Sequence, residues 1–386
     1  MPQTEQTVPR ASSWRDRIRE EFFPRNRRRD IDGLRGLAIT FVVLFHAGWL
    51  QGGFIGVDIF VVISGYLMGR SALMQHPFQP VRFVCRRLYR LLPALTVMIA
   101  VVSASMLWWV LPGDRADIAL NGAYALTYLS NIWASGHVGY FEGQSIAYPF
   151  LHTWSLSLEM QFYALVFIMA LLLPLTRHRK FVLSAIFALS LGYCLFSHFK
   201  GETQAYYNIS DRIWQFSLGT LIWIFPRPNL SVRAAGLIHA MALMVLVGAG
   251  LFYTLAFACP SGMMVFPCGA VAAILMLPET WLGRLCLVPL SPLGVMSYSV
   301  YLWHWPGLVI ANYLLPAQVY GLTIAAVMGI VLVISLLSYL CIERTGLDYE
   351  EAVPVVVRNR GAVMLVGAGM MLAAILFYIS YVSRVH

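Results

Sequence analysis

"IDGLRGLAITFVVLFHAG", residues 31–48, decides how this chain is read. An apolar run of Leu, Ala, Ile, Phe and Val separates Arg35 from His46, eleven positions later. The run has the character of a membrane-crossing helix, and Arg and His are residues that such a helix avoids. On a helix rising about 1.5 Å per residue the two lie roughly 16 Å apart along the axis and within roughly 20 degrees of one face. One stripe thus carries a cation near one end and an imidazole deeper in the apolar run. Two readings stay open for this stripe alone. Either the Arg snorkels to the interface and the His is a satisfied buried residue, or both touch one elongated object.

The rest of the chain fits a membrane setting. Of 386 residues, 59% are hydrophobic and 12% charged, where a soluble domain is about a quarter charged. Polar residues cluster between apolar runs of about twenty, the length that crosses a bilayer core. The period-two alternation of a barrel is missing. The expected fold class is all-α, a polytopic transmembrane helical bundle of about 10–11 spans. The first thirty residues are polar and basic, so no cleavable signal peptide is expected. The net charge of +9 gathers in short segments beside apolar runs: "RDRIREEFFPRNRRR", "RFVCRRLYR", "RHRK", "RPNLSVR" and "RNR". That is the positive-inside distribution and not a nucleic-acid face. Six cysteines (Cys85, Cys194, Cys259, Cys268, Cys286 and Cys341) have neither CxxC nor Cys/His ligand spacing. Neither a disulfide framework nor a metal site is expected from them.

Apolar length and basic loops place spans at 33–50, 54–74, 91–111, 150–175, 181–198, 213–225, 234–254, 256–277, 294–315, 322–341 and 362–382. Residues 112–149 begin and end outside, and "DRADIALNGAYALTYLSNIW" within them reads as an interfacial or re-entrant helix. "FKGETQAYYN" (199–208) and His386 fall outside. The chain divides into a basic cytoplasmic segment (1–30), a transmembrane domain (31–345), and a loop with an extra helix (346–386). No internal repeat supports an inverted-repeat transporter.

Other polar groups sit at membrane depth. "GGFIGVDIFVVISGYLMG" (52–69) holds Asp58 and Ser64. "CRRLYRLLPA" (85–94) carries Arg86, Arg87 and Arg90, the last two at i and i+3 on one helix face. Such a pair suits a phosphate, held by paired hydrogen bonds, or anchors a helix at the inner leaflet. "HTWSLSLEMQFY" (152–163) puts His152 and Glu159 on one face. "SYSVYLWHWPG" (297–307) adds Tyr298, Tyr301 and His304, as an aromatic belt or as part of a site.

Together these stretches resemble the integral-membrane acyltransferase family 3, the bacterial O-acyltransferases of surface polysaccharides. The resemblance rests on Arg-x10-His at Arg35 and His46, on "GGFIGVDIFVVISGYL", on Arg-x-x-Arg at Arg87 and Arg90, and on "WSLSLEMQFY", "RIWQFSLGTLI" and "SYSVYLWHWPG". These stand in the family's order over residues 30 to about 345. An eleventh span departs from the family's common ten. In longer members such a helix leads to a periplasmic SGNH-hydrolase-like domain.

The resemblance implies a multi-pass enzyme of the bacterial inner membrane. It implies transfer of an acyl group, first of all acetyl, from cytoplasmic acetyl-CoA to a hydroxyl of a surface polysaccharide or lipid-linked sugar, such as lipopolysaccharide O-antigen, on the periplasmic side. His46, Glu159 and Arg35 are then catalytic. Arg86, Arg87, Arg90, Ser64 and Tyr66 bind the acyl-CoA. Asp32, Asp58, His152, Trp154, Arg212, Tyr298 and His304 bind the acceptor or support the site. His46 acts as general base or as nucleophile, with Glu159 orienting it or stabilising its imidazolium. Acyl-CoA, a glycan acceptor and membrane lipids are the partners; no metal and no nucleic acid are involved. A rival reading is a proton-coupled transporter of a polar solute, with Arg35, His46 and Glu159 as the relay and no dependence on acyl-CoA. A structural export subunit leaves the buried charges unexplained.

Overall fold

The computed structural model describes residues 28–73, 78–137, 146–172, 177–201, 203–315, 321–345, 364–365, 368–373 and 375–376. Every regular element among them is helical, and the chain is an all-α polytopic membrane bundle. Two helices form its middle. α1 (Arg29–His46) is joined through a short 3-10 turn (Gln51–Phe54) to α2 (Ile55–Met68). Of an 18-residue apolar window within Gln51–Ser71, 83% is buried, against 22% of one within His178–Lys200 and 28% of one within Leu322–Glu343. The first is therefore wrapped by protein, and the other two present apolar flanks to lipid.

α3 (Pro80–Trp109) starts on a proline, which needs no hydrogen-bond partner for its nitrogen in a first turn. α4 (Pro112–Leu126) and α5 (Ser130–His137) follow, then α6 (Trp154–Leu172), α7 (Arg177–Lys200), α8 (Ile213–Leu221) and α9 (Val232–Phe252). α10 (Val265–Met276), α11 (Trp281–Cys286), α12 (Ser291–Val295), α13 (Ser297–Leu314) and α14 (Leu322–Ser338) complete the series. Single π-helical turns follow α2, at Gly69–Leu73, and α14, at Tyr339–Glu343.

The short α8 lies on α2 with its backbone nearly touching. A Cβ at Gly65 would stand 2.0 Å from the Phe216 carbonyl oxygen, and one at Gly219 2.0 Å from that of Val62. Two facing glycines let the helices close where apolar solvent supplies no drive to associate.

By length and composition, six helices cross a membrane among the described residues, or seven with a pair, Gly262–Met276 and Trp281–Val295, bent by 110°. This is fewer than the eleven apolar runs, for reasons visible in the elements. The 213–225 run yields only the nine-residue α8, about 13 Å long and buried against α2. The 256–277 run is one arm of the bent pair. α1 carries Arg29, Asp30, Asp32 and Arg35, and α13 carries Ser297, Ser299 and His304. Both are inner helices whose polar groups meet protein, so an apolar count misses them. The 112–149 stretch holds α4 and α5, of 15 and 8 residues, separated by a break where Tyr128 takes a positive φ of 55°. The basic lead before residue 28, the "RNR" loop and the outer C-terminus lie outside the described residues. Of the 362–382 run, the described pieces include Leu376, which packs beside Gly122 on α4.

Candidate active site

A cavity of about 180 Å³ opens between α1, α2, α3, α6 and α13. Arg35, Arg86, Arg87, Arg90 and Glu159 are the charged residues that line it. Four cations against one carboxylate in an apolar wall give the cavity an excess of positive charge. Two of the cations are held by hydrogen bonds. Arg35 donates from Nη2 to Ser297 Oγ at 2.9 Å. Arg87 donates to the Phe83 carbonyl at 2.6 Å and to Ser71 Oγ at 3.0 Å, with its guanidinium 3.4 Å from the Phe83 ring centre. The π turn after α2 is what brings Ser71 to Arg87. The buried Nε of Arg90 has no hydrogen-bond partner among the described residues. Glu159 accepts from Ser64 Oγ at 2.6 Å and from the Tyr163 hydroxyl.

His46 closes α1, eleven residues beyond Arg35 and thus about 16 Å from the cavity's arginine along one helix. Its ring is half-buried, with the His304 ring centre 5.1 Å away and that of Trp305 4.7 Å away. His46 Nδ1 is 3.0 Å from His304 Nε2, and His304 Nδ1 is 2.7 Å from the Tyr301 carbonyl oxygen. A carbonyl only accepts, so His304 carries its proton on Nδ1 and offers Nε2 as an acceptor. His46 then donates from Nδ1, which leaves its Nε2 lone pair unprotonated. The chain of two imidazoles ending on a carbonyl sets the tautomer that a base or nucleophile needs. Tyr301 also reaches the cavity wall, where its hydroxyl donates to the His152 carbonyl at 2.6 Å and accepts from Ser155 Oγ at 2.7 Å.

Several of the expected residues meet partners other than those the sequence pairs them with. Glu159 was the expected orienting partner of His46; its Oε1 is given instead to Ser64 and Tyr163, and His304 supplies the hydrogen bond at His46 Nδ1. Tyr66, expected beside Ser64, does not line the cavity. Residues at i and i+2 on a helix are about 200° apart, so Tyr66 turns away from Ser64 to Trp223, with ring centres 4.9 Å apart. Tyr298 lines the cavity but spends its hydroxyl on the Leu91 carbonyl at 2.6 Å.

Asp58, Arg212 and Trp154 form a separate, fully buried group. Arg212 Nη1 meets Asp58 Oδ1 at 2.8 Å, Gln215 donates to the same oxygen at 2.6 Å, and the guanidinium lies 5.0 Å from the Trp154 ring. This group ties α2 to α8. Asp32 is buried in the first turn of α1, where its charge complements the helix dipole. His152 is buried beside Tyr301 and His304, and neither ring nitrogen has a hydrogen-bond partner among the described residues.

Glu343 went unnoticed in the sequence because it follows the apolar run of α14 and reads as a loop residue. The π turn rotates it inward, where Ser299 Oγ donates to it at 2.9 Å within electrostatic reach of Arg90 and Arg35. An acid placed two residues past a span whose partner helices carry arginines is the signal that points to it.

Comparison with known proteins gives this geometry its chemistry. Residues 28–341 match the family model of an acyltransferase domain. The chain belongs to this acyltransferase family. It is 71% identical over 386 residues to the "Putative membrane-bound transacylase BcsY" of Komagataeibacter xylinus, covering all of both chains. It is 31% identical over 316 residues to the O-acetyltransferase OatA of Staphylococcus aureus (strain NCTC 8325 / PS 47), which covers 73% of this chain and 51% of that one. The match thus spans about half of OatA's length. No solved structure matches the chain. The protein is a multi-pass membrane acyltransferase, and the transporter reading falls away.

Proposed function

We propose that the protein takes an acyl group, acetyl above all, from coenzyme A on the cytoplasmic side of the inner membrane and transfers it to a carbohydrate hydroxyl on the outer side. The observation that carries this is the shared helix: an arginine-lined cavity at Arg35 and, about 16 Å away, an imidazole at His46 whose tautomer leaves Nε2 unprotonated. Coenzyme A has an anionic nucleotide and a slender arm on the scale of half the roughly 30 Å bilayer core. The arginines hold phosphate while the arm carries the thioester towards His46. His46 Nε2 takes the acceptor hydroxyl's proton as its oxygen attacks the thioester carbon. The carbon–sulfur bond breaks and the thiolate leaves. The acetyl and hydroxyl specificity are drawn by analogy with OatA, an O-acetyltransferase. A sugar-bearing acceptor, with O-antigen as one example, follows from the sequence resemblance.

The test uses sealed vesicles of both orientations carrying labelled acetyl-CoA outside. Inverted vesicles, which expose the cytoplasmic face, are expected to label an endogenous glycan; right-side-out vesicles are not. Equal labelling of both, or labelling of right-side-out vesicles alone, would sink the two-sided reading.

The arginines give a second expectation. Charge-assisted hydrogen bonds contribute about 1.5–3 kcal/mol each, so Arg87→Gln with Arg90→Gln is expected to weaken acyl-CoA binding by at least about tenfold. Lys at both positions recovers part of this, because an ammonium lacks the guanidinium fork. An unchanged acyl-CoA Kd in the double Gln variant would return the pair to helix anchoring.

A further inference from the structure

Sequence spacing separates the six cysteines, but the fold brings two of them together. Cys194 lies six residues before the end of α7, and Cys259 lies in the connection between α9 and α10. Their Sγ atoms are 3.9 Å apart, and both residues are buried. Cys259 Sγ also reaches the Asp211 carbonyl at 3.6 Å, next to the Asp58–Arg212 pair.

Their position in the membrane follows from the basic segments. α7 begins at "RHRK", and α9 begins within "RPNLSVR", at Val232. The two sulfurs sit at the opposite ends of both helices. Basic loops stay in the cytoplasm, so this end faces outward, where thiols are kept oxidised.

We propose that Cys194 and Cys259 are joined by a disulfide in the mature protein, formed by an extracytoplasmic thiol–disulfide oxidoreductase. One cysteine thiolate attacks the oxidant's disulfide, forming a mixed disulfide and releasing one oxidant thiol. The other thiolate attacks the chain's sulfur of that mixed disulfide and releases the second. Two S–H bonds are lost and one S–S bond is made in this chain, while the oxidant's S–S bond becomes two thiols. The sulfurs need to approach from 3.9 Å to about 2.0 Å, and Cys259, on a connection rather than a long helix, is the side that turns. Burial of both sulfurs places the exchange before residues 253–261 settle on α7. The bond fastens that connection over the start of α8.

The full-length protein is tested directly from cells quenched in acid and denatured. Free thiols are blocked with N-ethylmaleimide, disulfides are reduced, and the newly freed thiols are tagged with a polyethylene-glycol maleimide. Wild type is expected to gain two tags, four of its six cysteines having been blocked. Cys194→Ser and Cys259→Ser are each expected to gain none, and Cys268→Ser is expected to keep two. Mass spectrometry of the unreduced wild-type digest, which needs no variant to fold, is expected to show the Cys194 and Cys259 peptides linked. No tags on wild type, two tags surviving in either of the first two variants, loss of tags in Cys268→Ser, or a different linked pair would overturn the assignment. With no tags, the two thiols are packed as small apolar groups.

Discussion

Alanine at His46 is expected to lower acyl transfer by about 10²–10⁴-fold, the contribution typical of a general acid–base group, with insertion and abundance unchanged. The substitution does not reduce the apolarity of α1, so a loss of rate would not reflect failed insertion. His304→Ala should cost less, because it frees His46 to choose a tautomer without removing its lone pair. His304→Gln should cost less again, since its side-chain oxygen can still accept from His46 Nδ1. The measurement is the initial rate of labelled acetyl transfer per unit of folded protein. A His46→Ala protein with wild-type rate would make the imidazole a packing group.

Removing the Asp58 carboxylate is expected to destabilise the bundle by about 3–5 kcal/mol, because Arg212 is then left buried without a counter-charge. That is a large share of the margin by which proteins stay folded. The readout is the unfolding temperature of purified Asp58→Ala in detergent, with Asp58→Leu plus Arg212→Met as the companion. Replacing both charges by apolar groups should recover much of what one substitution loses, because the cost lies in the orphaned charge. An unaltered unfolding temperature in Asp58→Ala would contradict the structural role. A fully folded Asp58→Ala that fails to transfer acyl groups would move Asp58 back to substrate binding.

Much of this was legible in the sequence. The Arg35–His46 interval survives intact because both ends ride on one straight helix, and helical spacing is local arithmetic. Arg87 and Arg90 reach the cavity for the same reason. Partnerships across helices were less visible. Nothing in the spacing of His46 and His304 says that their rings meet, as the sequence separates them by 258 positions. Asp58 and Arg212 each read as an isolated polar residue and prove to be one pair. The apolar helices among the described residues number fewer than the eleven runs where polarity is hidden by protein, at α1 and α13, and where an apolar run bends or stops short, at α8 and α10. Glu343 was missed because a π turn shifts the helical face by one residue, which no periodic pattern anticipates.

The hydrogen-bonded pair of imidazoles ends on the Tyr301 carbonyl, an atom that holds no proton to pass on. Protons therefore have no exit along this line. Under the proposed transfer, what His46 receives from the acceptor hydroxyl must go back to the departing thiolate, which is the stronger base by about two pKa units in ordinary surroundings. The cycle is then electrically silent: one proton is borrowed and returned within the same turnover. Collapsing the membrane potential and pH gradient with an uncoupler in inverted vesicles is expected to leave the transfer rate from added acetyl-CoA unchanged. A rate that falls with the gradient would show that protons leave by another path.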